Sequence, residues 1–178
     1  MPITAAQSAD FEVYARNPDT WAFAAKRSLA VARVLDSRVQ VLRAHPTRDV
    51  LEFSGCLFSA MLHAALAAEN AVKGVYVKQD PAIVSNGRLN LTPVFNRSGH
   101  ALLQPIVAVL GQLTESERRL VVKLEESGWA GRFVVPVHAD LLYDEEKMQI
   151  MRTSLPEDFS MIESLVDRLL VLLTPHAG

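Results

Sequence analysis

A single cysteine, Cys56, in 178 residues leaves out a disulfide framework and the paired-cysteine zinc sites. It fits a reduced, cytoplasmic setting. Aromatic residues make up only 7% of the chain while Ala, Val and Leu dominate, which favours packed helices over a β-sandwich. Neither sign of charge is in excess. A net charge of −2 argues against a broad basic face for DNA and leaves room for a local basic patch. Phosphate-binding loops of the G-x-x-x-x-G-K-[ST] and G-x-G-x-x-G types are missing, as is the H-E-x-x-H metal signature. No metal and no cofactor is therefore expected. The opening MPITAAQSADFE has neither a basic nor an apolar leader region and does not read as a signal peptide.

What is present is helical periodicity. The length suits one domain over 18–175, preceded by a loosely ordered lead over 1–17 with a brief helix around Asp10 to Arg16. Asn17-Pro18-Asp19 starts a first long helix to Arg43, with Trp21, Ala25, Leu29 and Ala32 on its apolar face. Its arginines, Arg27, Arg33 and Arg38 among them, read as a solvated face. His45-Pro46 breaks it, and a second long helix follows to about Asp80-Pro81. Two long helices joined this way pack antiparallel. Residues 78–99, rich in Pro, Gly and Asn, read as a long loop. A third helix spans Leu102 to Leu113. The capping box Thr114-Glu115-Ser116-Glu117 opens a fourth, which Gly128-Trp129-Ala130-Gly131 stops near Ser127. A second long loop, with an extended piece at Phe133 to Val137, precedes the box Ser154-Leu155-Pro156-Glu157 and a last helix from Pro156 to Leu173. The expected fold is an all-α, up-and-down bundle of four to five helices with long loops at about 78–100 and 128–153.

The second helix carries the candidate site. Apolar almost all the way round, it aligns Glu52, Cys56, Ser59, His63 and Asn70 on one side. An unpaired buried polar group costs roughly 1–3 kcal/mol, so such a stripe should face a polar network, a cleft or another subunit. The same polar residues, with Glu69 and Lys73, make insertion of this run into a membrane expensive. Cys56 and His63 stand two turns apart, too far for a nucleophilic pair. Glu69 and Lys73 form an i,i+4 pair in the favourable order, and Asn70 suggests an amide holding a neighbouring backbone or loop.

The strings LHAALAAENAVKGVYVKQDP, GHALLQPI and LTESERRLVVKLEESGWAGRFVVP, over roughly residues 58–137, resemble HEPN-like (higher eukaryotes and prokaryotes nucleotide-binding) proteins. There a helix with A-x-E-N-x-x-K precedes a loop, a Gly-His at a helix head and a Gly-Arg-aromatic-x-x-Pro segment. The resemblance implies an all-α bundle, a homodimer, and a setting in which RNA, a nucleotide or a protein partner is bound. Many members are metal-independent ribonucleases with Arg-x4–6-His on a late helix. Here that spacing occurs at Arg132-x5-His138, which encloses Val-Val-Pro and cannot form one regular helix, and at Arg38-x6-His45. The last helix has none. The chain thus reads as a non-catalytic or catalytically altered member. Glu69, Asn70, Lys73, His100 and Arg132 are the expected binding residues, between the second helix and the 78–100 and 128–138 loops, with His63 deeper in the cleft. Arg132 is expected to pair with Glu69 or with a phosphate. A true ribonuclease would use His100 or His138 as acid/base and Arg132 against the phosphate. The remaining alternative is a dimerisation protein with a buried polar network.

Overall fold

The computed structural model describes residues 4–91, 95, 101–130 and 157–174, and excludes the side chains of 128–130. Six α-helices stand among the described residues: α1 (Ala5–Ala15), α2 (Pro18–Ala44), α3 (Val50–Gln79), α4 (Leu103–Leu110), α5 (Glu115–Ala130) and α6 (Asp158–Leu173). The all-α reading holds.

Local chemistry sets the ends. Asn17 caps α2 by accepting from the Asp19 N–H at 2.9 Å, with Pro18 in the first turn. Asp49 caps α3, accepting from Leu51 and Glu52 at 2.8 and 3.2 Å. Thr114 and Glu117 form the expected box: the Thr114 N–H donates to Glu117 at 2.8 Å and the Glu117 N–H returns to the Thr114 hydroxyl at 3.2 Å.

Helix α3 runs through the middle of the bundle. Ala25, Leu29 and Ala32 of α2, Val121 and Leu124 of α5, and Ile162, Leu165, Val166 and Leu169 of α6 share its core cluster. Each fully buried Leu or Ile contributes about 1.5–3 kcal/mol. The alanines Ala64, Ala67, Ala68 and Ala71 are buried and let the neighbouring axes come close. Helix direction follows from a few contacts. Trp21 stands against Gly74 and Arg38 binds Glu52, so α2 and α3 are antiparallel. Lys78 donates to the Leu172 and Thr174 carbonyls at 2.8 Å, so the C-terminal ends of α3 and α6 are level. Since α6 has 16 residues and α3 has 30, the first turns of α3 run past the start of α6 beside the end of α2.

Several expectations are corrected. The lead is helical from Ala5, capped by a Thr4–Gln7 box, rather than loosely ordered around a brief helix. The 78–99 stretch is not all loop. Helix α3 continues to Gln79, a 3-10 turn covers Pro81–Ile83, and a small antiparallel hairpin pairs β1 (Val84–Ser85) with β2 (Arg88–Leu89). Its turn places Asn86 and Gly87 at φ 54° and 66°, the left-handed pair that an Asn-Gly hairpin turn requires. The fourth helix does not stop at Ser127 but runs through Gly128 to Ala130. An interior glycine costs only about 1 kcal/mol against alanine. Glu157 makes no side-chain cap and α6 begins at Asp158, not Pro156. Ser154, Pro156 and the 133–137 piece lie outside the described residues.

The Thr114 box makes stability pH-dependent. The Thr114 N–H holds the Glu117 carboxyl below its usual range, and the Thr114 hydroxyl and Arg168 add to this against the opposing effect of burial. A depressed carboxylate stabilises fully above its unfolded pKa, about 4.5, and that contribution is lost as pH falls through the folded value. Glu117→Gln is therefore expected to cost about 1 kcal/mol at pH 7. The gap to the natural chain should close below pH 4.5 in thermal melts run across the acid range. A gap constant down to strong acid would refute this.

Candidate functional site

The polar stripe of α3 does not meet in one network. Glu52, in the first turn of α3, is exposed and bound by Arg38 of α2 at 2.6 Å. Cys56 is half-buried, and its thiol is free. Asn70 turns its amide back on its own helix, donating to the Leu66 carbonyl at 2.8 Å. The expected clasp on a loop is thus a bond within α3, which satisfies the amide where it stands. His63 is half-buried, and its Nδ1 is buried with no hydrogen-bond partner among the described residues. It stands six residues before Glu69, about 9 Å along the axis, and joins neither Glu69 nor Lys73.

Glu69 and Lys73 do come together, and deeper than an exposed i,i+4 pair. The Lys73 Nζ donates to Glu69 at 2.6 Å, with side-chain exposures of 14% and 10%. That burial decides the chemistry. An ion pair in a low-dielectric setting binds more strongly than at the surface, and its members are less open to a phosphate from solution. The Lys73 ammonium also lies 5.6 Å from the ring centroid of Phe95, which is 1% exposed. Tyr76, one turn on from Lys73, meets Phe95 edge to face, with centroids 5.8 Å apart and an interplanar angle of 72°. Its hydroxyl reaches the Pro105 carbonyl at 3.5 Å, and burial pushes its phenol pKa up.

Nearby, α4 lacks a capping side chain of its own. Glu125 of α5 replaces it, accepting from the Leu102 and Leu103 N–H groups at 2.9 and 3.3 Å. The carboxylate satisfies donors that a helix start leaves open and offsets its dipole. Phe95, Tyr76 and Glu125 thereby fix one side of the α3–α4–α5 junction.

His100, Arg132 and His138 lie outside the described residues, so the expected cleft between α3 and the two loops is visible only on its α3 side. Among the described residues no group of three or more His, Cys, Asp or Glu side chains gathers as a metal site would require.

Two features went unforeseen. Phe95 was read only as part of a loop. Lys123 of α5 and Asp158 of α6 form a buried ion pair at 2.6 Å, with side-chain exposures of 5% and 8%. The pattern held a sign of it. Lys123 falls between Leu120 and Leu124 on the core face of α5, where a charge needs a partner. Comparison with protein-family models, with curated proteins and with solved structures finds no match for this chain.

Proposed function

We propose that the chain is a non-catalytic helical binding protein whose partner is another protein, and that it is a divergent HEPN-like domain. The observation that carries the binding reading is where the outward-facing apolar side chains fall. Among the described residues, seven of the eleven exposed large hydrophobics sit on α2 and α3: Phe23, Val31, Val34, Val41, Val50, Leu51 and Phe58. Exposed apolar surface gathered on one pair of helices marks an interaction face.

The charged groups support the same choice over RNA or a nucleotide. Arg16, Arg33, Arg38, Lys73 and Arg168 are each held by a carboxylate of the chain itself. Phosphate binding draws on cations that face solvent; these five already have their anions, and the exposed Lys26, Arg27, Arg88 and Arg119 are distributed over α2, β2 and α5. By length and composition α3 is apolar enough to cross a bilayer. Its Glu69–Lys73 pair and Asn70 in the inner half make a protein neighbour the better match, and a cytoplasmic setting goes with that reading.

The test is a cleavage and binding assay with single-stranded RNA and ATP, in EDTA, beside His100→Ala, Arg132→Ala and His138→Ala. We expect no cleavage, and no thermal stabilisation by either probe. Cleavage that one of these variants abolishes would establish a metal-independent ribonuclease and overturn the reading. Stabilisation by RNA or ATP that Lys73→Met removes would replace protein with nucleotide as the partner.

A further inference from the structure

Among the described residues, every hydrogen bond that ties α1 to the rest of the fold leaves from its last turn or its cap. Glu12 accepts from the Gly87 N–H, Arg16 donates to the Val84 carbonyl, and the Ala15 carbonyl accepts from Trp21. Only Ala15 of this helix is buried, while Phe11, Val13 and Tyr14 face solvent. Asn17, between α1 and α2, is extended at φ −84° and ψ 113°, so the two helices meet at a joint. The Thr4–Gln7 box gives α1 a start of its own. A helix with one joint and one polar fastening is built like a strap.

What this strap fastens reaches further into the molecule. Ala15, Val77 and Val84 form a small apolar cluster apart from the main core. Ile83 and Leu89, on the 3-10 turn and the hairpin, pack against that cluster and against the main core as well. The turn and hairpin therefore bridge the two. From the hairpin Asn90 donates to the Ile83 carbonyl at 2.7 Å, Leu91 is buried, and the Phe95 N–H donates to the Leu91 carbonyl at 2.8 Å. Phe95 in turn lies against Lys73 and Tyr76, and Lys73 is paired with Glu69. A continuous run of contacts thus joins Glu12 and Arg16 to the Glu69–Lys73 pair.

We infer that α1 regulates access to the Glu69–Lys73 pair: fastened, it keeps the hairpin and Phe95 in place beside the pair, and on its release the three open as one unit. Parts of a fold that bury little apolar surface and rely on exposed hydrogen bonds are the first to open locally, and α1 buries a single alanine. The hairpin has two residues in each strand and does not sustain itself in water. Without α1, Ile83 and Leu89 lose their outer neighbours, and Phe95 follows them along the chain. A partner that needs the ammonium or the carboxylate then binds only the opened fraction, and its apparent affinity falls by that fraction. The inference goes beyond the protein-binding reading. It concerns Glu69 and Lys73, not the apolar side chains of α2 and α3, and it stands or falls apart from the RNA and ATP results.

Amide hydrogen exchange of the full chain at low denaturant tests the unit. The Gly87, Asn90 and Phe95 N–H groups, each bonded in the closed form, should exchange with one common denaturant dependence. Lysine acylation by acetic anhydride, read by mass spectrometry, tests the access. In a chain carrying Glu12→Ala and Arg16→Met, Lys73 should react about tenfold faster than in the natural chain, as the open fraction rises. The exposed Lys26 should react as before, and so should Lys73 in Val13→Asp, a change on the solvent side of the same helix. Exchange of Phe95 that is independent of Gly87 and Asn90 overturns the inference. A Lys73 rate that does not rise overturns it as well. Loss of helical circular dichroism in the double variant would show that α1 holds the whole fold rather than one site, and would also overturn it.

Discussion

Asp158→Ala is expected to destabilise the chain by about 3–5 kcal/mol, a large part of the roughly 5–15 kcal/mol that holds a domain folded. The loss comes less from the missing bond than from what remains. Lys123 is buried to 5% side-chain exposure, and without the carboxylate its ammonium would stay in the core next to Leu120, Val121 and Leu124 or move out and disturb them. Asp158 is also the acidic residue of the first turn of α6, so the helix start loses its counter-charge. Urea unfolding monitored by circular dichroism reads the effect. Lys123→Met should also destabilise, because it removes the ammonium that the buried aspartate binds at 2.6 Å. The double change Lys123→Met with Asp158→Leu should cost less than the two single changes added together, since it leaves neither charge of the pair facing an apolar group. A single-variant loss below about 1 kcal/mol would mean that the pair is solvated, and the account would fail.

The second large effect separates two glycines of α3. A Cβ at Gly74 would lie 2.7 Å from the Trp21 Cβ and 3.1–3.2 Å from the Leu173 methyls. The Trp21 Cβ is fixed to its backbone, so relief requires α2 and α3 to part at this point. Gly74→Val should therefore cost about 3 kcal/mol and shift the fluorescence of Trp21. Gly55 has nothing within 4 Å of the same position. There Gly55→Ala should stabilise by about 0.5–1 kcal/mol through helix propensity alone. Thermal unfolding of both variants checks the pair. Equal signs at the two positions would show that propensity rather than the close approach governs α3.

Much of the fold was readable because helix boundaries are written in local chemistry. Asn17-Pro18-Asp19 and Thr114-x-x-Glu117 name their own caps, and each structural bond joins residues two or three apart. The hairpin was readable too, from Asn86-Gly87 between Val84 and Leu89, but the surrounding Pro and Gly made the segment look uniformly irregular. The candidate site was harder for a physical reason. Angular alignment on α3 says that Glu52, His63 and Asn70 share a side, not what stands opposite them. Arg38 comes from another helix to hold Glu52, while Asn70 bonds to the helix that carries it. The depth of Glu69 and Lys73 likewise depends on Phe95, whose contact with Lys73 spans 22 residues of sequence. No local pattern contains that. His100, Arg132 and His138 lie outside the described residues.

The first helix has a consequence out of proportion to its size. From α1, the Glu12 carboxylate takes the Gly87 N–H at 2.8 Å and the Arg16 guanidinium takes the Val84 carbonyl at 2.8 and 3.0 Å, while Trp21 holds the Ala15 carbonyl at 2.8 Å. A ladder of two residues per strand is too small to persist alone in water. The beginning of the chain is thus spliced into its middle. A helix more than sixty residues earlier splints the hairpin from outside, on the side where Val84 packs with Ala15 and Val77.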